Sequence, residues 1–226
     1  MKRVGIVTAL ADESTYLREN IGKYLGVDEG VYEVHRYDCE GKEVFLINSG
    51  VGEVAAALAA QYLALKYKAE MILNVGLVGS LSKDLKRGAL ALVNEVVHYD
   101  FSPSYTDESV LGIHVGRDSA ILTPDISPAA RSEHLSAMPL VRIASGDKFV
   151  NSSDFKRMLV DKFDCKICDM ESAGLFFACE RFSLPLIMVK CVSDNADEDA
   201  DVSFDQALSG GVREYVAAVR ELLAKV

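Results

Sequence analysis

The chain has 226 residues, a formal net charge of −10 and a pI near 4.9, a balance that argues against nucleic-acid and anionic-membrane partners, which select basic patches. Half of the residues are hydrophobic, enough for a sizeable core, and the length suits one α/β domain over residues 1–226 with no linker. No run approaches the roughly 20 apolar residues of a membrane span, and the segment from Met1 to Val7 is too short in apolar length for a signal peptide.

Arg3 to Thr8 reads as a first strand buried on both faces. Glu13 follows at a strand-to-helix turn, and the helix is predicted to reach about Tyr24. As a first-turn acid, Glu13 also suits the helix dipole. Val31 to Tyr37 and Glu43 to Asn48 form a predicted hairpin around Glu40, Gly41 and Lys42. Ser49-Gly50-Val51-Gly52-Glu53-Val54-Ala55 is a GxGxxA pattern opening an Ala-rich helix to about Lys68. In a dinucleotide fold such glycines admit a pyrophosphate. Here the motif lies outside the first β-unit, and the next strand, Met71 to Asn74, ends in Asn rather than in a ribose-binding acid.

Asn74 to Leu81 reads as a second glycine turn, and Ala89 to His98 as another strand. Tyr99 to Ile113 is a loop carrying Phe101, Pro103 and Tyr105; such a loop serves as a ligand lid, a subunit contact or plain surface. Ser127 to Ala137 is a predicted helix started by Pro128. A strand from Leu140 to Ala144 leads into Ser145-Gly146-Asp147-Lys148-Phe149-Val150, and Ser152 or Ser153 caps a helix to about Phe163. Then come a strand holding Cys168, the cluster Asp169-Met170-Glu171, an apolar helix, and the apolar run Leu184 to Val192 ending in Ser193-Asp194-Asn195. A last helix runs from about Ser203, with Val212, Tyr215, Val216, Val219, Leu222 and Leu223 on one face. The cysteines Cys39, Cys165, Cys168, Cys179 and Cys191 are odd in number and scattered, which suits free thiols in a reducing cytoplasm. Cys165 and Cys168 form a lone CxxC without the second pair a zinc site needs or the helix start a redox motif needs.

Strands alternating with helices predict a single-domain α/β three-layer sandwich, its central sheet mixed but mostly parallel and flanked by helices. Glu13, Gly50, Gly76, Phe149, Glu171 and Asp194 each fall just past the carboxyl end of a predicted strand. Those ends share one rim, where open α/β sheets bind ligands; singly, each acid also suits a helix cap. His35, His98, His114 and His134 belong to no nucleophile motif, and no GxSxG, HExxH or Walker A pattern occurs. The rim offers Lys148 and Lys190 but no arginine in its glycine turns, and its distinctive groups are Glu13, Glu171 and Asp194. Separated acids suit glycosyl cleavage: one protonates the leaving group, one activates water, and a third grips sugar hydroxyls.

In this order, the Glu13 turn, Ser49 to Ala60, Asn74 to Leu81, Ser145-Gly146-Asp147 with Phe149, Asp169-Met170-Glu171, Val192-Ser193-Asp194 and Ser203-Phe204-Asp205 resemble the purine nucleoside phosphorylase/nucleosidase superfamily. Within it the chain looks most like the 5′-methylthioadenosine/S-adenosylhomocysteine nucleosidases. The resemblance implies a nucleoside phosphorylase-like fold and hydrolysis of the N-ribosidic bond of 5′-thio-substituted adenine nucleosides to adenine and thioribose. It implies no metal or cofactor, and a cytoplasmic homodimer in which the Phe101 to Tyr105 loop meets the partner. By it, Asp194, positioned by Ser193, protonates the purine, and Glu13 activates water. Glu171 binds the ribose hydroxyls with Met170 against the sugar, and Asp169 stands beside them where Glu is usual. Phe149 stacks on the base and the Val150 backbone pairs with its edge, while Leu10 and Phe204 wall the 5′ substituent. Next to Gly76, Leu77 takes the place of a small hydroxyl residue, and Lys190 that of an arginine. These departures bear on the water and on the 5′ preference. They leave open a phosphorylase, a nucleosidase for another 5′-modified purine, or a non-catalytic nucleoside-binding module.

Overall fold

The computed structural model describes residues 2–210, 213 and 215–226. Val-, Ile- and Leu-rich runs build the middle of its sheet, as expected of strands covered on both faces. β1 (Arg3–Thr8) pairs in parallel with β4 (Lys42–Asn48) on one side and β5 (Met71–Ser80) on the other. Beyond β4 lie β3 (Val34–Cys39) and the edge strand β2 (Lys23–Asp28), both antiparallel to their neighbours. On the other side β5 pairs in parallel with β10 (Leu186–Asp194), and β10 pairs antiparallel with β6 (Leu90–His98). β6 runs parallel to β8 (Leu140–Ser145), which runs parallel to β9 (Ile167–Asp169); β7 (Ile121–Leu122) joins β6. β9 returns to pair antiparallel with the far end of β5 through Gly79 and Ser80.

Strands β5, β10, β6, β8 and β9 therefore close on themselves, a barrel-like ring without free edges. This corrects the expected sheet. It is mixed, but parallel and antiparallel pairings are equally common, and part of it is a closed ring rather than an open middle layer. The cause is the length of β5. Its first half, Met71 to Asn74, pairs with β1, and its end is left for β9.

Helices cover both faces. α2 (Glu53–Lys66) and α5 (Ser172–Phe182) bury Ala56, Ala59, Leu63, Ala173 and Leu175 against Val7, Ile47 and Ile72. On the other face, α1 (Thr15–Asn20) and α7 (Val216–Lys225) bury Leu17, Val219, Leu222 and Leu223 against Ile6, Leu46, Leu73 and Ile187. α4 (Ser153–Phe163) is capped by the Ser152 hydroxyl, which accepts the Phe155 N–H.

Three predicted helices end elsewhere than expected. The first stops at Asn20, whose amide turns back to the Tyr16 carbonyl, and Lys23 already starts β2. Gly22 lies so close to β3 that a Cβ there would meet the Asp38 carbonyl oxygen at 2.4 Å. The predicted helix from Ser127 to Ala137 divides into a 3₁₀ turn, Ser127–Arg131, and α3 (Glu133–Ser136). Ser132 adopts an extended conformation between them and caps α3 through the Leu135 N–H, which interrupts the helix. The C-terminal helix is two, α6 (Ala200–Gly210) and α7. Tyr215, Val219, Leu222 and Leu223 are buried as the pattern predicts, Val216 partly so, and Val212 lies outside the described residues.

Candidate active site

Glu13 sits in a 3₁₀ turn, Asp12–Ser14, just after β1. Its Oε2 accepts the Leu10 N–H at 2.9 Å and its Oε1 the Leu77 N–H at 2.9 Å, and the residue is 3% exposed. Burial raises its carboxyl above the usual range, against those hydrogen bonds and the nearby Lys190. The predicted glycine turn after Asn74 does not exist: Gly76 lies in the middle of β5. A Cβ at Gly76 would lie 3.2 Å from Glu13 Oε1 and 3.9 Å from Lys190 Nζ. The missing side chain lets an acid and a cation approach closely over the strand backbone.

Asp194 is the last residue of β10 and 2% exposed. Burial raises its carboxyl as well. Its Oδ1 accepts the Ala196 N–H at 2.7 Å, and its Oδ2 lies 2.6 Å from Ser193 Oγ, which also reaches the Val78 carbonyl at 3.1 Å. Ser193 has one proton for two acceptors. When it donates to Val78, Asp194 Oδ2 keeps a proton and donates it to Ser193. When Asp194 is ionised, Ser193 donates to it. One rotation of a hydroxyl thus accommodates both states of the acid. Gly79 leaves room for this, since a Cβ there would lie 3.0 Å from Asp194 Oδ1.

Glu171 stands at the N-terminal boundary of α5, but its carboxylate makes no capping bond there and turns toward α2. It accepts the Gly52 N–H at 3.1 Å and the Met170 N–H at 3.3 Å. Burial and the adjacent Asp169 push its carboxyl up to about 7. The Glu53 N–H goes to Asp147 Oδ1 at 2.8 Å. Two N–H groups at the start of α2 are therefore taken by carboxylates, which argues against a pyrophosphate cradle at GxGxxA.

One pocket is lined by Leu10, Glu13, Leu77, Phe149, Val150, Asp169, Met170, Glu171, Asp194 and Phe204. The remaining predicted residues stand behind its wall: Gly76 against Glu13, Ser193 on Asp194, and Lys190 on Asp169. Phe149 and Phe204 meet edge to face at 5.8 Å between ring centroids. Ala9, Val51, Val78, Gly79, Lys148 and Cys168 also line the pocket without having been singled out as site residues. Val51 was legible as the residue between the paired glycines, and Cys168 as the neighbour of Asp169. Cys165 and Cys168 are buried free thiols, and burial pushes Cys165 up to about 12, which leaves the CxxC unreactive.

Lys190 is fully buried and its ammonium lies 2.7 Å from Asp169 Oδ2, so its partner is Asp169. Burial opposes the charge on Asp169, but Lys190, Ser172 and Ser145 hold its carboxyl below the usual range. One buried acid was not anticipated. Glu53 Oε1 lies 2.7 Å from Ser145 Oγ, its Oε2 accepts the Gly174 N–H, and burial, with Asp169 and Asp147 nearby, pushes it up to about 8.

A family model described as the phosphorylase superfamily matches residues 3–226. The aminodeoxyfutalosine nucleosidase of Helicobacter pylori strain J99 is 32% identical over 216 residues, 92% of each chain. The structure of the futalosine hydrolase of Helicobacter pylori strain 26695 is similar with a TM-score of 0.89 at 28% identity, covering 98% of this chain and 97% of that one. The Helicobacter pylori 5′-methylthioadenosine/S-adenosylhomocysteine nucleosidase, complexed with an aminopyrrolopyrimidine carrying a pyrrolidinol and a propynylthiomethyl arm, is similar with a TM-score of 0.90 at 29% identity, covering 98% and 97%.

Proposed function

The chain belongs to the phosphorylase superfamily, and we propose that within it the protein is an N-ribosyl hydrolase for 5′-thio-substituted adenine nucleosides such as methylthioadenosine and S-adenosylhomocysteine. The observation that carries this reading is the meeting of Glu13, Glu171 and Asp194, all buried, around one pocket that also holds Phe149 and Phe204. Asp194 stands at the base end and gives a proton to the imidazole nitrogen of the departing purine. Phe149 covers the base face. Glu13 takes a proton from the water that attacks the anomeric carbon, and Glu171 holds the ribose hydroxyls. The bond breaks through an oxocarbenium-like state that the carboxylates stabilise. Leu77 lends its backbone N–H to Glu13 and its side chain to the wall, so the alignment of Glu13 needs no hydroxyl at that position. No metal or cofactor takes part. Lys190 is committed to Asp169 behind the wall, which favours water over phosphate as the nucleophile.

Aminodeoxyfutalosine is the alternative substrate, supported by the name of the Helicobacter pylori relative. The apolar wall of Leu10, Val51 and Phe204 favours a thioether arm. A comparison of kcat/KM for methylthioadenosine, S-adenosylhomocysteine and aminodeoxyfutalosine decides between them. Cleavage of both thioethers is expected, and cleavage of aminodeoxyfutalosine alone overturns the preference.

The working unit in this reading is a homodimer in a reducing, cytoplasmic setting that suits the buried thiols of Cys39, Cys165, Cys168 and Cys179. Among the described residues, no helix is long and apolar enough to cross a membrane. Phe101 stacks on the chain's own His114, with centroids 3.8 Å apart, whereas Tyr105 is fully exposed. The stronger seam is an outward stripe on α2: Val54, Leu58 and Leu65 are 69%, 51% and 53% exposed. Val51, beside this stripe, lines the pocket, so a second copy on α2 would sit at its mouth. Light scattering should give twice 24.6 kDa, and Leu58→Glu should yield a monomer of reduced activity. A fully active parent monomer contradicts this assembly.

A further inference from the structure

Ser145 poses a problem of proton counting. Its Oγ lies 2.7 Å from Glu53 Oε1 and 2.7 Å from Asp169 Oδ1, and it also accepts the Ala173 N–H at 3.0 Å. A hydroxyl has one proton and two lone pairs. With one lone pair given to Ala173, it donates to one carboxyl group and accepts a proton from the other. The surroundings decide which acid is protonated. Asp169 Oδ2 receives the Lys190 ammonium at 2.7 Å and the Ser172 hydroxyl at 2.6 Å, and its Oδ1 receives the Ser172 N–H at 3.2 Å. Those are the partners of an anion. Among the described residues, Glu53 has the Gly174 N–H on Oε2 and the Ser145 hydroxyl on Oε1.

We propose that Glu53 is a protonated positioning residue: its carboxyl donates to Ser145, Ser145 donates to Asp169, and Asp169 holds Lys190 in place beside Glu13 and Glu171. The proposal rests on the nucleosidase reading only in its activity arm. Among the described residues, the charged and titratable groups that bear on Glu53 fit a neutral carboxyl there. From β9 and the segment after β8 come the anions Asp169 and Asp147, and Tyr99 follows β6. Lys190 on β10 is taken by Asp169, and Glu171 at the start of α5 adds a further acid beside Asp169. A second anion on Ser145 would compete with Asp169 for the Ser145 proton and for the Lys190 cation, and both Glu13 and Glu171 feel Lys190.

Glu53→Gln keeps the pattern without a titratable group, since its amide donates to Ser145 and its carbonyl accepts the Gly174 N–H. With methylthioadenosine as substrate, we expect Glu53→Gln to retain kcat within about threefold of the parent, while Glu53→Ala and Ser145→Ala lower kcat by about tenfold or more with a smaller change in KM. Thermal unfolding from about pH 5.5 to about pH 8.5 supplies a readout independent of turnover. Glu53 is raised to about 8 in the folded chain, so the parent loses stability as pH rises from the unfolded carboxyl range through that value. Glu13, Glu171 and Asp194 titrate in both proteins and cancel. The Tm of Glu53→Gln should therefore gain on that of the parent as pH rises and level off above about 8. A difference that does not change with pH overturns the protonated state whatever the turnover. Glu53→Gln as slow as Glu53→Ala, or as Ser145→Ala where the alanine at 53 does not fold, overturns the positioning role.

Discussion

Asp194→Asn is expected to bind adenine nucleosides and to cleave them at least about a hundredfold more slowly than the parent. The asparagine fits the site without loss. Its carbonyl accepts the Ala196 N–H, and its amide donates to Ser193 Oγ, which turns its own proton to the Val78 carbonyl. The variant should therefore fold as the parent does and still hydrogen-bond the base. What it lacks is a proton to give up as the ribosidic bond breaks, so turnover should fall far more than affinity. The pH profile carries a second signature. Burial raises the Asp194 carboxyl, and the acid works only when protonated. The parent rate should fall as pH rises through that raised value, and the asparagine variant should lose this limb. Asp194→Ala removes the hydrogen bond as well and should weaken binding too. Retained cleavage in Asp194→Asn, measured as adenine release, leaves Asp194 only the cap on Ala196.

Glu13→Gln should lower turnover by about 10²–10⁴-fold, the usual worth of a general base, and it should also unfold more easily. Both carboxylate oxygens of Glu13 accept backbone N–H groups, from Leu10 and from Leu77. A glutamine satisfies one of them and turns its amide hydrogens toward the other. A buried N–H left without an acceptor costs about 1–3 kcal/mol. Asp194→Asn and Glu13→Gln thus differ in kind: the first should be catalytic alone, the second catalytic and destabilising. Denaturant unfolding with parallel turnover assays checks the contrast. Near-parent turnover in Glu13→Gln reduces Glu13 to a helix-start acid.

The acids around the pocket were legible because each follows or ends an apolar run, and such runs form strands whatever their neighbours. Glu13, Glu171 and Asp194 could therefore be placed on a common rim before any pairing was known. Gly76 was misread because glycine after an apolar run signals a turn. In β5 the missing side chain instead admits Glu13 and Lys190, a close approach that depends on two other elements. The closed ring was hidden for a related reason. It needs β9, three residues long, to pair with both β8 and the end of β5, and so short a strand leaves no periodic signal. Lys190 sat in an apolar strand with no local partner, and only the fold brings Asp169 to it. Glu53 stood unmarked inside the GxGxxA pattern that opens α2. Its burial comes from α5 packed across it, which local sequence does not encode.

The most direct measurement is the product analysis of methylthioadenosine incubated with the protein, with and without inorganic phosphate. The account predicts adenine and free methylthioribose in both, at the same rate. Methylthioribose 1-phosphate formed only with phosphate, or nucleoside that is bound but left intact in both, would contradict it.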